Sequence, residues 1–168
     1  DFGDLVDDTQ AFKDAIAALQ PYDVLIIPQS SGFFSVSIDA GLTIPADRPG
    51  IRVIIRGDVR ATGTPAERTS MFHVRADDCQ FIGEGGTLEG SGEYIMFISK
   101  MPDPCPPTLP CCDPTLCGPA LIHFEGVEGA VVRSLRLRNG PRSSVLMVNC
   151  NRSKIIDCHF EGGPSADT

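Results

Sequence analysis

Three stretches of this chain repeat one pattern: Met71-Phe-His-Val-Arg-Ala-Asp-Asp-Cys-Gln-Phe-Ile82, Leu121-Ile-His-Phe-Glu-Gly-Val-Glu-Gly-Ala-Val-Val132 and Val145-Leu-Met-Val-Asn-Cys-Asn-Arg-Ser-Lys-Ile-Ile156. In each, an alternating strand leads through a turn to an apolar pair at the same offset. A two-layer sandwich would show turns without this register, whereas a unit repeating every 20 or so residues is typical of one coil of a β-solenoid. We therefore predict an all-β fold, a right-handed parallel β-helix.

One helix is predicted before these repeats. Phe12, Ile16 and Leu19 recur at helical spacing behind good N-cap residues, which predicts a helix over Thr9–Leu19. Because this helix has an apolar side, we expect it to cap the first coil of the solenoid.

Short apolar runs separated by Gly or Pro make up much of the chain after the helix, and we interpret them as strands. A chain of 168 residues is about one domain's length, so we expect a single β-helix domain, residues 1–168, of about six coils. The predicted strands are Val24–Ile27, Phe33–Ile38, Ile51–Ile55, Met71–Val74, Tyr94–Ile98, Leu121–Phe124, Val131–Leu137, Val145–Val148 and Ile155–Phe160.

The segment 99–119 is a Cys- and Pro-rich insertion. Its seven prolines prevent it from forming a coil, because proline cannot donate to a strand ladder. The spacing of its cysteines does not match the short pairs of zinc sites, so we favour disulfides over a metal. Seven cysteines in the chain also favour an extracellular location. The disulfide candidates are Cys105, Cys111, Cys112 and Cys117.

The charge balance excludes two classes of partner. The chain has 14 Lys and Arg against 22 Asp and Glu, a formal charge of −8, which disfavours nucleic acid and anionic membrane surfaces. Its apolar runs are also far shorter than a membrane-spanning helix requires. We expect no cofactor.

Several residues suggest a site when they are taken singly. Asp77-Asp78 looks like an acid pair, but it lies in a repeat turn, where Asp favours the backbone geometry. His73 and His123 occupy the same offset in two coils, so we expect their rings to stack, and without a third histidine we expect no metal site. Asn151-Arg-Ser153 is an N-glycosylation acceptor sequence in a predicted turn.

Four stretches, in this order, resemble polygalacturonase-type glycoside hydrolases: Phe81–Tyr94 with its Gly-Gly-Thr-Leu-Glu-Gly-Ser-Gly turn, Pro119–Phe124, Leu135–Pro141 and Ile155–Thr168. The opening Asp1–Phe12 resembles the start of the wider pectate-lyase-like group of right-handed β-helices. This resemblance covers nearly the whole chain and implies the same fold.

The resemblance also implies a partial active site. In that family one carboxylic acid and a pair of carboxylates perform an inverting hydrolysis. Only Asp167 falls on the first catalytic Asp of the family, and Ser165-Ala166 stand where the family has Asn-Thr. The family's Asp-Asp pair, Gly-His-Gly turn and Arg-x-Lys clamp have no counterpart up to Thr168, so we expect the chain to continue beyond this residue in its native form.

Two functions fit these observations. The first, which we favour at this point, is a structural module of an extracellular assembly on a polygalacturonase-like scaffold, which associates with itself or with further chain at its C-terminal face and stacks into a filament. The alternative is the N-terminal half of a secreted, pectin-type polysaccharide hydrolase. The charge of −8 favours the first function, because it repels acidic polymers.

The repeats also predict a register. We expect the apolar pairs Phe81-Ile82, Val131-Val132 and Ile155-Ile156 to stack through the core, one strand spacing apart. If they do, replacing Ile156 by Asp should unfold the protein.

Overall fold

The computed structural model of this chain describes residues 7–37, 41–62, 70–90, 120–140 and 143–162. These residues form one helix and 14 strands. Their bounds are α1 Thr9–Ala18, β1 Val24–Ile27, β2 Phe33–Ser37, β3 Leu42–Ile44, β4 Arg52–Ile55, β5 Asp58–Thr62, β6 Phe72–Val74, β7 Gln80–Gly83, β8 Thr87–Glu89, β9 Ala120–Glu125, β10 Val131–Arg133, β11 Arg136–Arg138, β12 Ser143–Val148, β13 Lys154–Ile156 and β14 His159–Glu161.

The strands form three parallel sheets, and consecutive strands belong to different sheets. Sheet one has the order β1-β4-β7-β10-β13, sheet two β2-β5-β8-β11-β14, and sheet three β3-β6-β9-β12. Every strand pair is parallel. Three stacked parallel sheets with one helix are consistent with the predicted parallel β-helix.

The described strands fill four three-strand coils and two strands of a fifth. The prediction of about six coils is therefore not confirmed. The predicted strand Tyr94–Ile98 and the insertion 99–119 lie outside the described residues.

The core consists of columns of side chains that run from coil to coil. One column through sheet one contains Leu25, Val53, Phe81, Val132 and Ile155 in ladder register. Its central members are fully buried. The Phe81 ring also meets the rings of Phe72 and Phe124 edge to face, with centroids 5.3 and 5.9 Å away. Such contacts add to the stability that the buried apolar area already provides.

The observed register differs by one residue from the prediction. Phe81 pairs with Val132, which pairs with Ile155, whereas the prediction aligned Phe81 with Val131. The reason is that the chain from Ile122 to Val132 is one residue longer than the chain from Phe72 to Phe81, although Phe72 and Ile122 are ladder partners. As a result Ile156 lies in register with Arg133, on the outer face of the sheet, and its predicted role in the core is wrong.

Two predicted strands are each divided into two strands. Val131–Leu137 is divided at Ser134 and Ile155–Phe160 at Asp157, and both of these residues have left-handed backbone conformations, with φ of 52° and 50°. A left-handed residue turns the chain sharply, so the strand before it belongs to sheet one and the strand after it to sheet two.

The predicted helix is present, and α1 ends one residue earlier than expected. The Asp7 carboxylate accepts a hydrogen bond from the Thr9 backbone N–H at 2.9 Å at its start. Phe12 and Ile16 are buried against the first coil. Farther along, the Arg48 side chain donates to the Ile16 carbonyl at 2.6 Å and so holds the C-terminal half of the helix.

Candidate functional site

Sheet two carries four charged side chains of alternating sign on its outer face. Arg60, Glu89, Arg138 and Glu161 occupy consecutive ladder positions on β5, β8, β11 and β14, and we call this column the charged face. The Arg60 guanidinium donates to Glu89 Oε2 at 3.0 Å, and Arg138 donates to Glu161. The charged face therefore presents both donors and acceptors along the axis of the molecule.

Polar and aromatic groups flank this column. The Arg60 guanidinium lies 4.2 Å from the ring centroid of Phe33, and His159 Nε2 is 2.8 Å from Glu161 Oε1. The hydrogen bond from Arg138 lowers the pKa of the Glu161 carboxyl and raises the pKa of the Arg138 guanidinium. Both side chains therefore stay charged at neutral pH, and each partly neutralises the other.

The charged face cannot be recognised from the sequence alone. Its members are separated by irregular intervals in the sequence, and only the strand register brings them into one column. The available signal was the Arg-x-Arg pattern of β11, in which alternate residues share a face.

A second cluster lies on the outer face of sheet three. The His73 and His123 rings stack with centroids 4.9 Å apart and an angle of 16° between their planes, which confirms the predicted stacking. Glu125 Oε2 is 3.1 Å from His73 Nε2, and it accepts hydrogen bonds from Arg75 at 2.7 and 2.9 Å. We call these four residues the histidine cluster.

The pKa values of His123 and Glu125 in this cluster are both lowered, but for different reasons. Burial, and then the neighbouring His73, lower the pKa of His123 below its ordinary value of 6.5. The Arg75 hydrogen bond lowers the pKa of Glu125. His123 Nε2 is buried and has no hydrogen-bond partner among the described residues, so a neutral ring is favoured there.

The last described coil exposes two side chains that point toward the core. Ile155 continues the sheet-one column and Phe160 pairs with the buried Leu137, yet they are 46% and 51% exposed. We call this region the C-terminal face. Apolar side chains at inward positions are normally covered by a further strand or by a partner.

Some of the site residues predicted from the sequence lie within the described ranges and others lie outside them. Asp167 and the disulfide candidates Cys105, Cys111, Cys112 and Cys117 lie outside the described residues. Asn151, the predicted glycosylation site, is described and exposed. Asp77 and Asp78 take part in a turn as expected, because Asp77 Oδ1 accepts from the Glu128 backbone N–H at 2.8 Å and Asp78 is left-handed, with φ 55°.

The three described cysteines are free thiols. Burial raises the pKa of Cys79 to about 12, so this thiol is protonated and unreactive. Cys150 and Cys158 are half-buried, and their thiols lie within 3.6 Å of backbone carbonyls.

Within the described ranges, no three His, Cys, Asp or Glu side chains lie close enough together to bind a metal ion. Over the same ranges, no helix has the length and apolar character needed to cross a membrane.

The fold is shared with a solved structure. A crystal structure described as "a putative glycosyl hydrolase from Parabacteroides merdae ATCC 43184" is similar to this chain with a TM-score of 0.68 and 12% identity, over 99% of this chain and 72% of the other. No protein-family model and no curated protein matches the sequence. At 12% identity the likeness concerns the fold alone, and this fold is therefore like that of a protein described as a glycosyl hydrolase.

Proposed function

We propose that this chain is part of an extracellular, polysaccharide-acting β-helix of the polygalacturonase-like kind, and that the charged face binds the polysaccharide. The proposal rests mainly on the column Arg60, Glu89, Arg138 and Glu161, which runs across four strands of a glycosyl-hydrolase-like fold. The column ends at Glu161, six residues before Asp167, the residue that the family resemblance marks as catalytic.

The geometry of the charged face suits an extended polymer. Four adjacent strands span about 14 Å, and they place donors and acceptors at regular intervals along one line. Sugar hydroxyls both donate and accept hydrogen bonds, so alternating guanidinium and carboxylate groups match them well. Phe33, beside Arg60, adds an apolar surface at one end of the line.

The proposal also includes the handedness of the solenoid, the role of α1 and the disulfides of the insertion. We take the solenoid to be right-handed, because parallel crossovers almost always are. The helix α1 serves as its N-terminal cap. The four cysteines of the insertion form disulfides, as suits a secreted protein.

Binding can be tested with the 168-residue protein and a set of insoluble polysaccharides in a sedimentation assay. We expect retention on at least one of them, and about tenfold weaker retention of the double variant Arg60→Gln, Arg138→Gln. Arg75→Gln is the matched control, because Arg75 directly follows β6 of sheet three, away from the charged face. Failure of the unmodified protein to bind any polysaccharide would overturn the proposal.

The C-terminal face supports a second candidate function, assembly with other subunits into a filament. Its supporting observation is the exposure of Ile155 and Phe160 at inward positions. The repetition of head-to-tail contacts gives open filaments when the contacts do not close. Sedimentation velocity at low micromolar concentration should show assemblies that disappear in Phe160→Lys, whereas a monomeric unmodified protein would rule this function out.

A further inference from the structure

One corner of the coils is built from residues with left-handed backbones. Four of these residues lie between a strand of sheet three and the next strand of sheet one, and the fifth lies between α1 and β1. We call this set the corner column. Its members are Tyr22, Gly50, Asp78, Gly129 and Arg152, with φ of 69°, 71°, 55°, 74° and 51°.

Backbone hydrogen bonds join the corner column from coil to coil. Each bond runs from the N–H of a corner residue to a carbonyl of the next coil, at 2.8 to 2.9 Å. The donor and acceptor pairs are Tyr22 and Pro49, Gly50 and Asp77, Asp78 and Glu128, and Gly129 and Asn151. The path of the coil therefore imposes the left-handed conformation at each corner, and the residue at the corner must tolerate it.

A tyrosine at position 22 is unfavourable because the backbone there is left-handed. Residues 20–23 form a turn that is closed by a hydrogen bond from the Asp23 N–H to the Gln20 carbonyl at 3.1 Å. Pro21 followed by a residue with positive φ is the type II arrangement, in which the third position favours Gly or Asn. A left-handed tyrosine costs on the order of 1–2 kcal/mol relative to glycine.

Burial does not offset this cost. The Tyr22 side chain is 71% exposed, the largest exposure among the described large apolar and aromatic residues that reach the surface. One edge of its ring lies against Gly50, where an added Cβ atom would overlap Tyr22 Cδ1 and Cε1. The ring is thus in contact with backbone at one edge, while most of its surface is open to solvent. Strain that local packing does not repay is typical of functional positions.

We propose that the Tyr22 ring is a platform on which a sugar ring of a neutral glycan stacks. This proposal deepens the proposed function and rests on it. An aromatic ring of fixed orientation offers a broad apolar face at low entropic cost. The Asp78 side chain lies against Gly129, as the Tyr22 ring lies against Gly50. Asp78 and Tyr22 are two coils apart, or about 9.5 Å along the axis.

The charges near the corner column select the class of glycan. Asp77 and Asp78 are exposed carboxylates on this corner, and they can accept hydrogen bonds from sugar hydroxyls. Glu128 is also exposed, but it is paired with the Arg152 guanidinium at 2.7 Å. Asp77 and Asp78 repel the carboxylates of uronate polymers. The ligand class is therefore a neutral glycan with free hydroxyls.

The test uses calorimetric titration of the 168-residue protein with cellohexaose, xylohexaose and a galacturonate hexamer. We expect a neutral hexamer to bind more tightly than the galacturonate. Tyr22→Phe keeps the ring and should bind within about threefold of the unmodified protein, whereas Tyr22→Asn should bind about tenfold more weakly. Because Asn tolerates the left-handed conformation, Tyr22→Asn should melt at the same or a higher temperature.

Two outcomes would overturn the platform, and a third would overturn the ligand class. The first is unchanged binding by Tyr22→Asn, and the second is a melting temperature lowered by about 5 °C or more in that variant, which would mean that the ring serves the fold. The third is tighter binding of the galacturonate hexamer, which would overturn the ligand class. In the first and third cases the unmodified protein still binds a glycan, so the proposed function survives, whereas it falls if no glycan binds.

Discussion

The two ends of this molecule expose their cores to very different extents. At the N-terminal end, α1 packs on the first coil, and the inward residues Val36, Leu42 and Ile44 are at most 1% exposed. At the C-terminal end, Ile155 and Phe160 occupy inward positions but are about half exposed. Strand register decides which way a side chain points, whereas the next element along the axis decides whether it is buried.

We expect the largest difference in stability between the alanine variants of two phenylalanines. Phe81 lies in the middle of the core and is fully buried, whereas Phe160 lies at the C-terminal face. Phe81→Ala should lower the free energy of unfolding by about 3–5 kcal/mol, because it leaves a cavity that its neighbours cannot fill. Phe160→Ala should cost only about 1 kcal/mol, in proportion to the smaller area it buries.

Denaturant unfolding followed by circular dichroism measures both variants. Equal losses of stability in the two would contradict the comparison, because they would show that Phe160 is as deeply packed as Phe81.

A second prediction concerns the covered end. The Phe12 ring meets the Phe34 ring edge to face at 6.1 Å, and Phe12 is buried. Phe12→Ala should destabilise the protein by about 3 kcal/mol, because it removes a large apolar contact between α1 and the first coil. Lys13→Ala, an exposed position of the same helix, is the control and should change stability by less than about 0.5 kcal/mol. A Phe12→Ala variant as stable as the control would show that α1 does not protect this end.

The outward column of sheet one gives a third contrast. Ile82 and Ile156 both occupy outward positions, but Ile82 is 7% exposed and Ile156 is 41% exposed. Ile82→Asp should cost about 1–3 kcal/mol, because it replaces a buried apolar side chain with a carboxylate that is largely removed from water. Ile156→Asp should change stability by less than about 0.5 kcal/mol. Thermal melting compares the two variants, and an unfolded Ile156→Asp would restore the register expected from the sequence.

The smallest expected effect is a dependence of stability on pH. Because burial lowers the pKa of His123, the unfolded chain takes up a proton more readily than the folded protein. The contribution of His123 to stability is therefore complete above about pH 6.5 and is lost as the pH falls through the folded pKa below it. Glu125 adds to this loss only below its ordinary value of 4.5, because its pKa is lowered.

Melting temperatures between pH 7.5 and 5.5 isolate the histidine. We expect His123→Gln to melt with less dependence on pH than the unmodified protein over this range. His159→Gln is the control, since His159 is an exposed histidine of the last strand. If both variants keep the full pH dependence, His123 does not cause it.

The fold was easier to predict than the candidate sites. The repeated offsets of apolar residues predicted parallel strands, and the equal positions of His73 and His123 predicted their stacking. The division of strands at Ser134 and Asp157 was missed, because a left-handed corner in the middle of an apolar run leaves little compositional trace. The strand Asp58–Thr62 was missed because its outward residues are polar or charged.

By itself, the sequence determined the fold class and α1, because hydrophobic periodicity is a local property that the chain carries at every position. It did not determine the register, since one additional residue between Ile122 and Val132 is invisible until the strands pair. Only the tertiary structure placed Arg60, Glu89, Arg138 and Glu161 in one column and the Tyr22 ring against Gly50. The physical reason is that these contacts join residues of different coils, and their distances depend on how many residues each corner takes up.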